Sequence, residues 1–384
     1  MSRKLASLKV VQEVTPIEKA DSLELVRVGG WKCVAKIGEF KPGDVAVYFE
    51  VDSLLPLDNP IFAFLAGRNE YTVEEKQYSR LRTMKMRGQL SQGLAVPLDG
   101  FQFAEELSDL IADEVLDLGI TNNTFIEFGQ DALDKFDLTE KLGVLKYEKP
   151  SKGEFVGTKT GASNPFPHFI PKTDQERVQN VNLKRALDGL TFEQTMKMEG
   201  SSITVWANED GVGVASRNLT VQEPAFFIHD PDNSFTRAVL MHNVDVKLLA
   251  YYARTGRKIA LQGELMGPGI QGNIEQFEDL HIFFFDVFDL DRMNYLLPVE
   301  RRVVIDELGL THAPVMNTMV TFPEGVTVDQ ILVMAEGPSL VAKQREGVVF
   351  KANQPNKYQE VFSFKAINNK YLLKSESVSY THLT

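Results

Sequence analysis

Cysteine is almost absent: Cys33 is the single one among 384 residues, so no internal disulfide framework can form. No Cys/His cluster has zinc-ligand spacing, which excludes a structural zinc module. Long apolar runs are missing too. No stretch is long enough to span a bilayer, and the opening Met1-Ser2-Arg3-Lys4-Leu5 carries no signal-peptide core. A reducing, cytoplasmic setting without a membrane partner is therefore expected. Excess positive charge is also lacking. The formal net charge of −12 argues against a protein that coats nucleic acid indiscriminately, though not against a local basic groove. Internal repeats and low-complexity segments do not occur.

What is present suffices for two domains, since 43% of the residues are hydrophobic and can bury a sizeable core. Short β-like segments at 8–14, 23–28, 34–37, 45–51 and 94–96 alternate with turn signals such as Gly29-Gly30 and Lys41-Pro42-Gly43-Asp44. That spacing predicts a small barrel or sandwich. Residues 99–137 are acidic and read as an insertion, partly helical. Residues 146–172, rich in Lys, Gly, Pro and Ser, read as a linker. The second half alternates strands with a few helices. Helical spacing runs over 174–187, and Thr327 is placed to cap a helix that continues through Met334.

The most informative stretch is Thr195-Met196-Lys197-Met198-Glu199-Gly200-Ser201-Ser202. A lysine set just before a carboxylate and a glycine can attack phosphorus. The carboxylate can recruit a metal, and the glycine lets a nucleotide approach the backbone. Alone the pattern is weak, and a surface lysine at a strand entrance accounts for it. Further segments follow in an order that suits one chemistry. A strand, a turn at Asn208-Glu209-Asp210-Gly211 and a returning strand place Arg217 beside the lysine. Its planar fork suits phosphate or ribose, with a plain surface arginine at even odds. The strand 259–265 delivers Glu264 before a glycine-rich turn. In Ile282-Phe283-Phe284-Phe285-Asp286-Val287-Phe288, roughly three phenylalanines are expected in the core, leaving one to stack on a purine. Two last strands carry Glu346, Lys351 and Lys365. A lysine in an apolar strand, like Lys365, is costly to bury unless it meets an anion. If Glu346 faces the pocket, alternation sends Val348 and Phe350 with it and Lys351 away. Strand ends break that rule, so the side of Lys351 stays open.

Together Lys197-Met198-Glu199-Gly200, Ser216-Arg217, Gly263-Glu264, Phe285-Asp286, Glu346-Gly347-Val348-Val349 and Lys365 resemble motifs I, Ia, III, IIIa, IV and V of the covalent nucleotidyltransferases. These are the ATP-dependent RNA and DNA ligases and the mRNA capping enzymes. The resemblance covers roughly residues 166–370. Residues 166–174 and Asn368-Asn369-Lys370-Tyr371 are similar to the RNA-ligase branch. Gly29-Gly30-Trp31 and residues 38–44 resemble the OB module that precedes the catalytic domain in RNA ligases repairing breaks with 3′-hydroxyl and 5′-phosphate ends. DNA ligases and capping enzymes carry an OB domain after motif V. Too little chain follows Lys365 here for such a barrel, which weighs against both.

The resemblance implies an α+β fold. An N-terminal OB-type β-barrel over 1–150, with the acidic insertion near 99–137, would precede a nucleotidyltransferase (ATP-grasp-like ligase) domain over 151–374, built of antiparallel sheets with flanking helices. It implies ATP and Mg2+ or Mn2+ as cofactors, and nicked or broken RNA, duplex or hybrid, as the partner of a monomer. Lys197 would be the nucleophile that takes up AMP, with Lys365 and Lys351 catalytic beside it. Met196, Glu199, Arg217, Glu264, Phe285, Glu346, Lys351 and Lys365 would bind the nucleotide. Glu199, Glu264 and Glu346 would hold the metal through water. The metal, Arg217, Lys351 and Lys365 are expected to disfavour the charged form of Lys197. Arg80, Arg82, Lys85 and Arg87 are the expected nucleic-acid contacts. Two departures stand out: Glu199 occupies a position where motif I usually has aspartate, and Ile367 one where motif V often has a second lysine, with Lys370 a candidate substitute. Residues 375–384 match no family element and are expected to be a non-native tail. A capping guanylyltransferase, a DNA ligase, and a binding module that lost the chemistry remain open alternatives.

Overall fold

The computed structural model describes residues 3–148, 164–187, 189–356 and 360–378. The chain divides into two units, Met1–Lys149 with Leu372–Thr384, and Pro150–Tyr371.

The amino-terminal unit holds β1 (Ala6–Pro16), β2 (Leu23–Val28), β3 (Trp31–Lys36), β4 (Val45–Phe49), β5 (Ser53–Pro56), β6 (Glu70–Val73), β7 (Lys76–Arg80), β8 (Met84–Met86), β9 (Gln89–Ser91) and β10 (Leu94–Pro97). Helices α1 (Ala104–Asp117) and α2 (Phe125–Leu133) and the short β11 (Leu145–Lys146) follow. One sheet runs β10-β4-β1-β2-β3 and a second β11-β5-β7-β6, with β8 and β9 forming a separate hairpin. The long β1 changes partner midway. It pairs with β4 up to Val10↔Val45 and with β2 from Val11↔Val28, with a bulge between Val11 and Glu13. Alternate residues of β2 and β3 bury Val26, Val28, Trp31 and Cys33 against Tyr48. Burial pushes the Cys33 thiol up to about 12, so it stays protonated and inert.

The acidic segment covers an edge. Where β2 has left β1, the Gln130 side chain donates to Leu8 O and accepts from Val10 N, both at 3.1 Å, and Leu138 N donates to Ala6 O. Leu107, Ile111 and Leu133 face the core, while the acids stay in water. A strand edge that would otherwise present bare backbone is thereby satisfied.

The second unit holds β12 (Asn164–Pro165), β13 (Glu176–Arg177), α3 (Leu183–Ala186), β14 (Phe192–Lys197), β15 (Ser201–Asn208), β16 (Gly211–Ala215), β17 (Leu219–Ala225), α4 (Ser234–Met241), α5 (Val244–Thr255), β18 (Ile259–Met266), β19 (His281–Asp289) and β20 (Asn294–Tyr295). It continues with α6 (Pro298–Glu307), β21 (Val315–Val320), α7 (Val328–Met334), β22 (Gly347–Ala352) and β23 (Ser363–Ile367), and α8 (Asn369–Val378) starts there. A large sheet runs β12-β17-β16-β15-β18-β19-β20 and a smaller one β13-β23-β22-β14-β21. One face of the large sheet buries Ile203, Val205, Leu261, Phe284 and Val287 against Phe235, Leu248 and Val304 of α4, α5 and α6. One face of the small sheet buries Phe192, Val348, Phe350 and Phe364 against Val178 and Ile331. The two remaining faces carry the polar residues. Residues directly opposite in a ladder share a face. The pairs Lys197↔Gly347, Glu193↔Lys351 and Val349↔Lys365 therefore set all three lysines on one side of the small sheet. This settles the side of Lys351, away from Val348 and Phe350.

The hairpin read at 202–214 forms as β15 and β16, and Thr327 caps α7, its hydroxyl accepting from Gln330 N at 3.3 Å. The spacing over 174–187 does not give the helix expected. Instead β13 pairs parallel with β23, a 3-10 turn spans Val178–Asn180, and α3 is one turn long. Val178, Val181, Leu183 and Leu187 point into the small-sheet core, which produces helix-like apolar spacing without a helix. Most of the linker, 149–163, lies outside the described residues, while β11 and β12 occupy its flanks. Helix α8 runs to Val378, into the stretch expected to be a tail, and 379–384 lie outside the described residues. Among the described residues no helix is long and apolar enough to cross a membrane.

Candidate active site

Lys197 ends β14, and its Nζ donates to Glu346 Oε2 at 2.8 Å. Glu346 sits just ahead of β22, where strand alternation no longer binds it, and so it turns toward the lysine while Val348 and Phe350 stay in the core. Its backbone is fixed from two sides. Asn368 N donates to Glu346 O at 2.8 Å, and Asn368 Nδ2 to Arg345 O at 3.1 Å. The Arg345 guanidinium donates to the carbonyls of Ala335, Glu336 and Pro338 at the end of α7. Glu264 comes from β18 in the facing sheet. Close approach of β15 to β18 explains Gly200: a Cβ there would lie 2.2 Å from Leu265 O and 2.9 Å from Glu264 Cγ. The glycine is required for sheet packing before any nucleotide arrives.

The charges nearest Lys197 are negative. Burial alone would push its ammonium down, but Glu346 and Glu264 outweigh that, and Arg217 opposes them weakly, so the net direction is up. The expected activation by neighbouring cations is thus not what the protein alone provides. Lys351 and Lys365 are each turned to another carboxylate. Burial raises Glu264 to about 7, with Lys197 pulling it down and Glu346 adding to the rise. Competitive acetylation of the nucleotide- and metal-free protein should therefore find Lys197 half-reactive above the ordinary lysine value of ~10.4. Glu346→Gln removes a charge that stabilises the ammonium, so the midpoint should fall. A midpoint unchanged in that variant would show the pairing to be electrostatically idle.

Lys365 Nζ bonds Asp174 Oδ1 at 3.0 Å, and Arg217 Nη2 bonds Asp174 Oδ2 at 3.2 Å. One carboxylate therefore holds two cations at the cleft. Burial, with Arg177 and Lys197 nearby, brings Lys365 down to about 8 against the pull of Asp174. Arg177 stands in register with Lys365 across the parallel pair.

Deeper in the cleft, the Lys351 ammonium pairs with Asp286 and donates to Phe285 O at 3.0 Å. A bulge makes this contact possible. Gln262 pairs with Asp286 but Gly263 with Phe284, so Phe285 is the extra residue of β19. Phe283, Phe284 and Phe288 are buried and Phe285 is left half-buried at the cleft, with its ring 5.7 Å from the Lys351 Nζ. Glu193, two strand positions closer to the chain start than Thr195, pairs with the fully buried Arg301 and with Arg302 of α6. Met196 packs beside Met198, Met266 and Phe283, and accepts at Sδ from Ser339 Oγ at 3.4 Å. Tyr371, at the start of α8, is a neighbour of Glu199, and its hydroxyl is pushed up first by burial and then by Glu346 and Glu199. The Glu199 carboxylate lies against Gly272, where a Cβ would sit 3.6 Å from Oε1. Gly272 thus leaves space for the longer acid. Lys370 pairs with Glu336 at 2.5 Å and is largely exposed, while Ile367 is buried.

Asp174, Arg177, Asp286 and Tyr371 join the site without having been singled out as site residues. Arg177 was hidden by the helix reading, Asp286 by its bulge. Asp174 and Tyr371 lay inside stretches quoted only as connectives. A cleft of about 620 Å3 opens beside Asp174, lined by Phe169, Phe288, Tyr295, Phe362 and Ser363. It does not contain Lys197. Arg80, Arg82, Lys85 and Arg87 belong to the amino-terminal unit. Among the described residues no three His, Cys, Asp or Glu side chains gather as a direct metal cage. Two carboxylates crowded at Lys197 are nonetheless hard oxygen donors of the kind Mg2+ or Mn2+ accepts through water.

Two sheets, antiparallel apart from the β13–β23 pair, facing across a lysine-bearing cleft define a covalent nucleotidyltransferase fold. The RNA ligase family matches residues 190–367, and an OB-fold domain matches residues 5–98. A ligand-free mutant of Naegleria gruberi RNA ligase is 37% identical, with a TM-score of 0.78, covering 98% of this chain and 99% of that one. The same enzyme with pyrophosphate is 36% identical, with a TM-score of 0.78 and coverages of 98% and 100%. A lysine mutant of it with ATP and Mn is 36% identical, with a TM-score of 0.76 and coverages of 96% and 98%. Among curated proteins none matched. The chain belongs to the RNA ligase family.

Proposed function

We propose that the protein is an ATP-dependent RNA ligase joining 3′-hydroxyl to 5′-phosphate ends through a lysyl-AMP on Lys197 and an adenylylated 5′ end. The observation that carries this is Lys197 at a strand end, 2.8 Å from Glu346, with Lys365 on the same sheet face. The Naegleria ligase structures with ATP, AMP and Mn support the nucleotide and the metal.

The Lys197 amine, having lost a proton, attacks the α-phosphorus of ATP. A phosphorus–nitrogen bond forms, the bond to the bridging oxygen breaks, and pyrophosphate departs. The oxygen of a 5′-phosphate then displaces the lysine from AMP, and the 3′-hydroxyl displaces AMP from that end. Lys365, Arg217 and Arg177 sit where negative charge on phosphate oxygens would be met. Phe285 offers a ring to the base. Lys351, bound to Asp286 and to the Phe285 carbonyl, holds that ring in place. Glu199, Glu264 and Glu346 would hold a hydrated Mg2+ or Mn2+. When bound, that cation supplies positive charge which offsets Glu264 and Glu346 and withdraws their stabilisation of the Lys197 ammonium.

Sealing assays on nicked duplexes with each end chemistry test the reading. Product should form from 3′-hydroxyl and 5′-phosphate ends, and label should enter the protein from ATP and not GTP. Joining of 3′-phosphate and 5′-hydroxyl ends instead, or labelling by GTP alone, would place the protein in another class.

A further inference from the structure

One face of the β11-β5-β7-β6 sheet gathers two phenols and two guanidiniums around a single carboxylate. The pairings Tyr71↔Tyr78 and Leu54↔Arg80 bring Tyr71 and Arg80 to the same side. Tyr147, just past β11, joins them, its N–H donating to Asp52 O at 2.8 Å. The Arg80 guanidinium lies 3.7 Å over the Tyr147 ring, and its Nη2 donates to Asp52 Oδ1 at 2.6 Å. The Tyr71 and Tyr147 rings are 5.1 Å apart, and Arg82 Nη2 donates to the Tyr71 hydroxyl at 3.3 Å. Burial would push the Tyr71 hydroxyl up, yet Arg82 and Arg80 bring it below its ordinary value. The neighbouring Tyr147 hydroxyl is pushed up instead, first by burial, with Arg80 pulling it down and Tyr71 adding to the rise.

The next hairpin adds cations. Chain reversal at Arg87 and Gly88, with φ of 48° and 84°, leaves Lys85 and Arg87 exposed. In a chain of net charge −12, exposed cations a few residues along the chain from an arginine that contacts paired aromatic rings are distinctive. Surfaces that hold RNA combine these two elements, since rings accept bases and cations accept phosphates.

We propose that Tyr71, Tyr147, Arg82, Lys85 and Arg87 form a surface that holds the phosphodiester backbone of the RNA to be joined. This rests on the ligase reading. Arg80 has a different part from the one its sequence suggested. Fixed by Asp52, it positions the Tyr147 ring, and the phosphates fall to Arg82 and the hairpin.

The test is binding of a fluorescent nicked RNA duplex to the full chain carrying Lys197→Ala, followed across a salt series. With Arg82→Gln, Lys85→Gln and Arg87→Gln added, affinity should fall about tenfold or more, and the slope of log K against log salt should flatten by roughly 2 to 3. Tyr71→Phe with Tyr147→Phe keeps the rings and should bind as the parent does, whereas Tyr71→Leu with Tyr147→Leu removes the ring faces and should weaken binding a few-fold at unchanged slope. Unchanged affinity and slope in the triple variant would overturn the surface while leaving a sealing-competent parent protein intact as a ligase. A parent that takes no label from ATP and seals no RNA would overturn the ligase reading itself.

Discussion

Lys197→Ala should abolish transfer of label from α-labelled ATP to the protein, and Lys197→Arg should not restore it. The effect is complete because, among the described residues, the two lysines on the same sheet face are held elsewhere: Lys351 is bound to Asp286 and Lys365 to Asp174. Arginine keeps the charge partner of Glu346 but stays protonated and cannot attack phosphorus. It therefore separates nucleophilicity from electrostatics. The adduct on the unaltered protein should be acid-labile, as a phosphoramidate is. Undiminished labelling of Lys197→Ala, in protein shown folded by circular dichroism, would remove the central claim.

Glu346→Ala and Glu264→Ala should each lower sealing by on the order of 100-fold, and chelation of divalent metal should abolish it. For Glu346 two effects oppose. Its removal lets the Lys197 proton leave at lower pH, and each tenfold fall in proton affinity raises the neutral fraction of the amine about tenfold near pH 7. Its removal also loses an oriented acceptor for hydrated metal, and without that the charge on the phosphates is not met. Loss of metal placement should win, and the deficit should shrink as Mn2+ is raised. Full activity in chelator, or in both variants, would make these carboxylates structural.

Much of this was legible in the sequence because it depends on local spacing. The Lys197 stretch, the hairpin after it and the Thr327 cap are all patterns within a few residues. What failed depends on partners distant in sequence. The apolar positions of 174–187 have helical spacing but are dictated by a core reached through β23. Strands β5 to β9 are three to five residues long, too short for periodicity to declare them. Neighbouring cations were expected to activate Lys197, yet which ones face it is fixed by Asp174 and Asp286, and no spacing predicts those pairings. The glycine after Glu199 has a requirement the sequence does not reveal, since a side chain there would meet Leu265 of the neighbouring strand.

The extra residue in β19 makes the site depend on parity. Before Phe285, odd-numbered positions face the cleft, as Phe283 does. After it, even-numbered ones do, as Asp286 and Phe288 do. One strand thus supplies two out-of-phase sets of side chains to a single surface. Substitutions along it change one group at a time. Losing Phe285 would restore plain alternation: Asp286 would still face the cleft opposite Gln262, but the extra ring and the carbonyl that accepts from Lys351 would be gone. Length at this point, more than composition, is what the chemistry cannot spare.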